Sequence, residues 1–358
     1  MPGGAGFLRD GTGVILIFAR LPPAQQRFKM NRPWGVGRTG AGNRMGGIMT
    51  RRFGWLAGIA LAAGFALPLA VEGAAQRTFV GSTGVDTNAC TIAAPCRSLM
   101  QAATQTSSNG EIVVLDSADY GPVSITESLS IIAPPGVHAG MSVRTGNGIV
   151  VTGPTIRVVL RGLAINGHGA GGYGIVVNDS AYVHIENVIV SGMVNSGILV
   201  NGQSRVFIND TLLRNNGGSG LEIKPFGDGF AEVSVDRLRS EANHDDGIYV
   251  DNNVVLNIRD SVTTRNFGSG ISVFPDIGET VSVGIDNTAM TNNENHGLAV
   301  QGTGVGAVVV ANNVVKDNFG GGLLRAAAGI TVYTRQNNTI VQNASFDVSG
   351  ALTPVGGQ

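Results

Sequence analysis

Two short stretches of this chain set aromatic rings beside carboxylates: Lys224-Pro225-Phe226-Gly227-Asp228-Gly229 and Phe274-Pro275-Asp276-Ile277-Gly278-Glu279. Between them lies Asp251-Asn252-Asn253. Asp228, Asp251 and Asp276 carry the hard oxygen ligands that Ca2+ takes, so Ca2+ is the cofactor such a group would hold. Phe226 and Phe274 offer flat apolar faces on which a sugar ring can lie, and with Lys224 and Asp251 they are the candidates for substrate binding. A second group, His244, Asp245 and Asp246 followed by Glu294 and His296, has the residue types of general acid–base chemistry and supplies the catalytic candidates. Cys90 and Cys96, the only cysteines, are spaced to close a small loop as a disulfide in an oxidising compartment.

Other chemistry is excluded by what is missing. The chain has no His-Glu-x-x-His, P-loop, EF-hand loop or Gly-x-Ser-x-Gly. Gly167-His168-Gly169-Ala170-Gly171-Gly172 fits a dinucleotide fingerprint, but a strand pattern follows it where the fingerprint needs a helix. His168 is therefore expected in a glycine-rich turn.

The elements that must position these groups are repeats. Gly-[Ile/Leu]-x-[Val/Ile] recurs at Gly174, Gly197, Gly220, Gly247, Gly270 and Gly297, with an earlier copy at Gly148 and a degenerate one at Gly322. From Gly174 the spacings are 23, 23, 27, 23, 27 and 25 residues, the period of a solenoid. A second alternating segment follows each glycine motif, from Val183-x-Ile185 to Val308-x-Val310, and then a third short one. Alternation with β-branched residues means strands, and three strands per repeat make one coil of a parallel β-helix. Asn216, Asn243, Asn266, Asn293 and Asn318 stand four residues before successive glycines and read as a structural ladder in the turns.

Both 27-residue repeats owe their length to the two stretches named at the outset, which fall between first and second strands two rungs apart. Stacking sets them ~10 Å from each other with Asp251 between, a shallow cleft on the face where solenoid insertions often serve binding. The same insertions also fit a plain reading as tolerated loops with solvated charges. The His244 and His296 groups likewise stand two rungs apart, too far for a direct dyad but placed to bracket a substrate.

In these motifs the chain resembles the pectin-lyase-like superfamily, particularly exported bacterial proteins with right-handed β-helix repeats. The resemblance covers about residues 77 to 345, including Thr78-Phe79-Val80, the Ala93-Ala94-Pro95 turn, the amphipathic segment Ser98 to Thr106 and the stretch Gly110 to Leu115. It implies an all-β, single-stranded right-handed parallel β-helix of about ten rungs with a short N-terminal cap helix. It also implies, for an enzyme, a polysaccharide lyase, hydrolase or epimerase. From residue 76 onward the hydrolases' Asn-Thr-Asp and Arg-x-Lys elements are absent, and Gly167-His168-Gly169 and Asp245-Asp246 stand in the reverse of the family's order.

Composition agrees. Of 358 residues 54 are Gly and only 14% are charged, against a helical bundle or coiled coil. From residue 76 onward fifteen basic residues face twenty-three acidic ones, a net of −8, without the basic footprint of a nucleic-acid binder. Met49 to Ala75 has the order of a secretory signal: Thr-Arg-Arg, an apolar run from Trp55 to Val71, then small residues. The expected organisation is an extension at 1–48, disordered or upstream of a start at Met49 or Met45, a cleaved signal at 49–75 and a β-helix domain at 76–358. The mature protein is then secreted or periplasmic, without a membrane span. The functional expectation is binding or remodelling of polysaccharide at or outside the cell envelope; the alternative is a non-catalytic structural or adhesive solenoid.

Overall fold

A computed structural model describes residues 74–356, except Pro154 and Ser180. The expected extension at 1–48 and the signal segment up to residue 73 therefore lie outside the described residues, and Ala75, expected to close the signal, opens the first strand, Ala75–Val80. The described chain winds into three parallel sheets: sheet I and sheet III of ten strands each, and sheet II of twelve. Sheet I takes the glycine-motif strands, sheet II the second segment and sheet III the third, as in Ile198–Val200, Ser204–Asn209 and Leu212–Arg214. Consecutive rungs stay in register, so Ile175, Ile198, Leu221, Ile248 and Ile271 form one inward column, each wholly buried. Their β-branched neighbours suit a pleated wall whose inner face is the core.

The corners explain the repeat's fixed letters. At Gly247 an added Cβ would meet the carbonyl oxygen of Gly270 at 2.5 Å and Asn266 Nδ2 at 2.8 Å. Glycine is kept there by the close approach of the next rung. Just before, the ladder runs unbroken: Asn216, Asn243, Asn266 and Asn293 each donate Nδ2 to the Oδ1 of the next at 3.0 Å. Asn318 extends it to Asn343 at 2.9 Å, and Asn343 Nδ2 donates to Asp347 Oδ1 at 3.0 Å. Asn216, Asn243, Asn266 and Asn293 are wholly buried, so the ladder pays no solvent exposure for its polar groups.

The N-terminal end is covered by the helix Leu99–Gln105, whose N-cap Ser98 accepts the Gln101 N–H through Oγ at 3.2 Å. Leu99 and Ala102 are its buried face. Cys90 and Cys96 are joined in a buried disulfide beside it. At the other end Val348–Ser349 and Thr353–Pro354 add a last, thin rung to sheets I and II. His168 sits in a turn with φ +50°, held by Asn166.

Candidate functional site

Seven of the ten sheet I strands are three residues long, with the first and third in the core, so the middle residue turns outward. That outward column reads Val150, Val176, Leu199, Glu222, Tyr249, Ser272, Ala299, Leu324. Between Ser124 and Ser349 at its two extremes, the column is apolar from Val150 to Leu199 and again at Ala299 and Leu324, and polar over the three successive rungs between. Those are the two rungs with insertions and the one between them.

Polar groups from the preceding corner close in on this stretch. Ser196 Oγ donates to Glu222 Oε2 at 2.7 Å, Ser219 Oγ to Asp245 Oδ2 at 3.3 Å, and the Ser269 N–H to Asp246 Oδ1 at 2.6 Å. Lys224 Nζ stands 3.2 Å from Asp251 Oδ2, whose side chain is only 6% exposed. Tyr173, Ser196, Ser219, Glu222, Lys224 and Tyr249 line a groove of about 410 Å³. The corner column that edges it with Val194 and Gly217 continues into His244 and Phe267, whose rings stack at 4.6 Å and 7°.

The electrostatics follow from burial. Asp246, 8% exposed, has its carboxyl pushed up to about 7, chiefly by desolvation, against the lowering effect of the Ser269 N–H, with the Asp245 charge raising it further. Burial also raises the Tyr249 hydroxyl well above its usual range, reinforced by Asp251, Asp246, Glu222 and Asp276. Tyr249 is therefore a hydrogen-bond donor at any physiological pH. Burial and Glu222 raise Tyr173 in the same direction.

The residues expected from sequence divide accordingly. Lys224, Asp251 and Asp246 gather around Tyr249 and Glu222. Phe226 and Phe274 stand exposed on the two insertions, Phe226 at 85%. Both insertions bury a proline, Pro225 and Pro275, and close on a turn, Gly229 N–H to the Phe226 carbonyl and Glu279 N–H to that of Asp276. The Ca2+ grouping of Asp228, Asp251 and Asp276 does not form: among the described residues no three His, Cys, Asp or Glu side chains are placed to hold a metal ion. Asp251 is taken by Lys224, Asp276 Oδ2 accepts from Asn252 Nδ2 at 3.2 Å, and Asp228 stands exposed on its loop. His244 serves as a stacking ring. Glu294 is exposed, and His296 packs its ring on Phe346, centroids 5.5 Å apart, with burial lowering its pKa. Glu222, Tyr249, Tyr173 and Ser196 were not among the expected residues. For Glu222 and Tyr249 the signal was present in the third letter of the repeat motif, where Val and Leu give way to Glu, Tyr and Ser, while Tyr173 and Ser196 stand just before the repeat glycines Gly174 and Gly197.

The model of the family described as "Right handed beta helix region" matches residues 173–346. Among solved structures, pectate lyase Pel9A superposes with a TM-score of 0.58 at 16% identity, over 77% of this chain and 78% of that one. The alginate lyase from Paenibacillus sp. str. FPU-7 gives 0.48 at 16% identity, over 79% and 99%. No curated protein matches the sequence. Repeat, register and superposition agree that the described residues form a right-handed parallel β-helix, the fold shared with pectate lyase Pel9A.

Proposed function

We propose that the protein is exported and binds a polysaccharide laid along sheet I, with Asp246 as the group that exchanges a proton with the bound chain. The observation that carries this reading is the run Glu222–Tyr249–Ser272 interrupting an apolar column beside a carboxyl held near neutral pKa. Such a carboxyl has both protonation states populated near pH 7, the condition for general acid or base work. Tyr249 donates to sugar oxygens, and the exposed rings of Phe226, Phe274 and Phe267 flank the groove on both sides. The fold is shared with a pectate lyase, which supports a glycan as the ligand class. Lys224 is the one cation lining the groove and is paired with Asp251, so a polyuronate would need a bridging cation to approach the lining carboxylates of Glu222 and Asp245. The buried disulfide supports export, since such bonds persist in oxidising compartments.

The test is a panel of acidic and neutral polysaccharides, with and without Ca2+, followed by binding and by release of unsaturated products and reducing ends. Tyr249→Ala is expected to weaken binding, and Asp246→Asn to lower any turnover about a hundredfold or more. If no polysaccharide binds, or binding ignores both substitutions, the reading fails and a purely structural solenoid takes its place.

A further inference from the structure

Sheet II carries a second concavity, unconnected with the groove just described. Its outward middle column reads His184, Phe207, Ser234, Asn257, Gly284, Val309. Large side chains stand at either end and small ones in three consecutive rungs between, which leaves a trough of about 710 Å³. That is the size of a ligand site. At the near end Phe207 is 43% exposed and braced by His184, centroids 6.1 Å apart. The ring is thus a fixed apolar platform opening into a polar channel.

The wall beside it is charged yet balanced. Asp236 Oδ2 accepts from Arg237 Nη1 at 2.8 Å and from Arg259 Nη2 at 3.0 Å, while Arg237 also donates to Asp210 at 2.6 Å. Further along, Asp286 accepts from Asn312 at 2.7 Å, and Arg335 closes the far end. The lining thus holds three guanidinium groups and two carboxylates, and Asp210, just outside it, takes up Arg237, so the charges in and beside the trough largely cancel. Arg259 remains 67% exposed, with most of its five N–H donors facing outward. A ring platform next to planar donors and acceptors already held in place suits a hydroxyl-rich, uncharged ligand.

We propose that this trough is a second carbohydrate site, binding a neutral oligosaccharide parallel to the solenoid axis. Rungs repeat every ~4.8 Å, close to the length of one sugar residue, so each rung presents its outward side chains to one sugar of the chain. The proposal does not rest on the sheet I reading.

Gly284 gives a clean probe, because its backbone is not left-handed and an added Cβ meets only Asn257 Oδ1, at 2.9 Å, the end of a movable side chain. Gly284→Val fills the trough with a residue that strands favour. Titrate the full chain by calorimetry with cellohexaose, laminarihexaose, mannohexaose and hexagalacturonate, and check folding by thermal melts. At least one neutral hexasaccharide is expected to bind, about tenfold or more weakly in both Gly284→Val and the exposed-site variant Phe207→Ala. The proposal is overturned if no neutral hexasaccharide binds, if binding survives both substitutions, or if hexagalacturonate binds more tightly.

Discussion

Asp246 is where burial and chemistry meet in a single side chain. Its ordinary value is 3.8 and its folded value about 7, so between those limits the native state holds a proton that the unfolded chain has released. Stability from this group is whole below pH 4 and is lost as pH rises through 7. His296, whose pKa burial lowers, works in the opposite sense, and comparing two variants at each pH cancels it. Asp246→Asn does not titrate, and its amide oxygen can still accept from Ser269. The variant is expected to match the wild type at pH 4 and to exceed it at pH 8, by at most roughly 4 kcal/mol. Urea midpoints at the two pH values measure this. An equal difference at both would show that Asp246 does not titrate as its burial requires.

At the scale of the element, the rung is held by packing inside and by amides at the corner. Asn266→Ala removes the acceptor for both the Asn243 Nδ2 and its backbone N–H, and takes a donor from Asn293. All of these are buried, so the expected loss is about 2–4 kcal/mol by denaturant titration. Asn343→Ala, at the partly exposed end, is expected to lose less than half as much; equal losses would argue that the ladder is decoration. Strand order, register and ladder were all legible in the sequence because each repeats, and repetition averages away the ambiguity of any one short strand. Of the site, Asp245, Asp246, Asp251 and Lys224 were named from the sequence, and the outward column they face was not. Insertions change the spacing and so announce Lys224 and Phe274. Glu222 and Tyr249 keep the spacing and change only an outward letter, visible when the rungs are aligned as a column. Stacking positions the backbones of the expected Ca2+ grouping, while Lys224 and Asn252 take the carboxylates of Asp251 and Asp276.

For the solenoid as a whole, each rung touches only its neighbours, so stability is a sum of local and nearest-neighbour contributions. The Cys90–Cys96 bridge closes a short loop at one end, worth about 2–3 kcal/mol by chain entropy. Replacing both cysteines by serine is expected to raise hydrogen exchange in residues 77–114, where the cap helix and first strands lie, and to leave 250–334 protected. Loss of protection throughout would mean that the solenoid unfolds as one unit.

The asparagine ladder has a further physical property. Every Nδ2–H points toward the C-terminal end and every Oδ1 toward the N-terminal end, where the Asn216 Oδ1 accepts the Met193 N–H. Six aligned amides make a linear dipole along the axis, each polarising the next, the side-chain counterpart of the macrodipole of an α-helix. Its positive end is met by the carboxylate of Asp347, which accepts from both the side-chain and the backbone nitrogen of Asn343. A β-structure, whose strands sum to little net dipole, thus acquires an oriented field with an anionic cap, and a direction along which charge at one end is felt at the other.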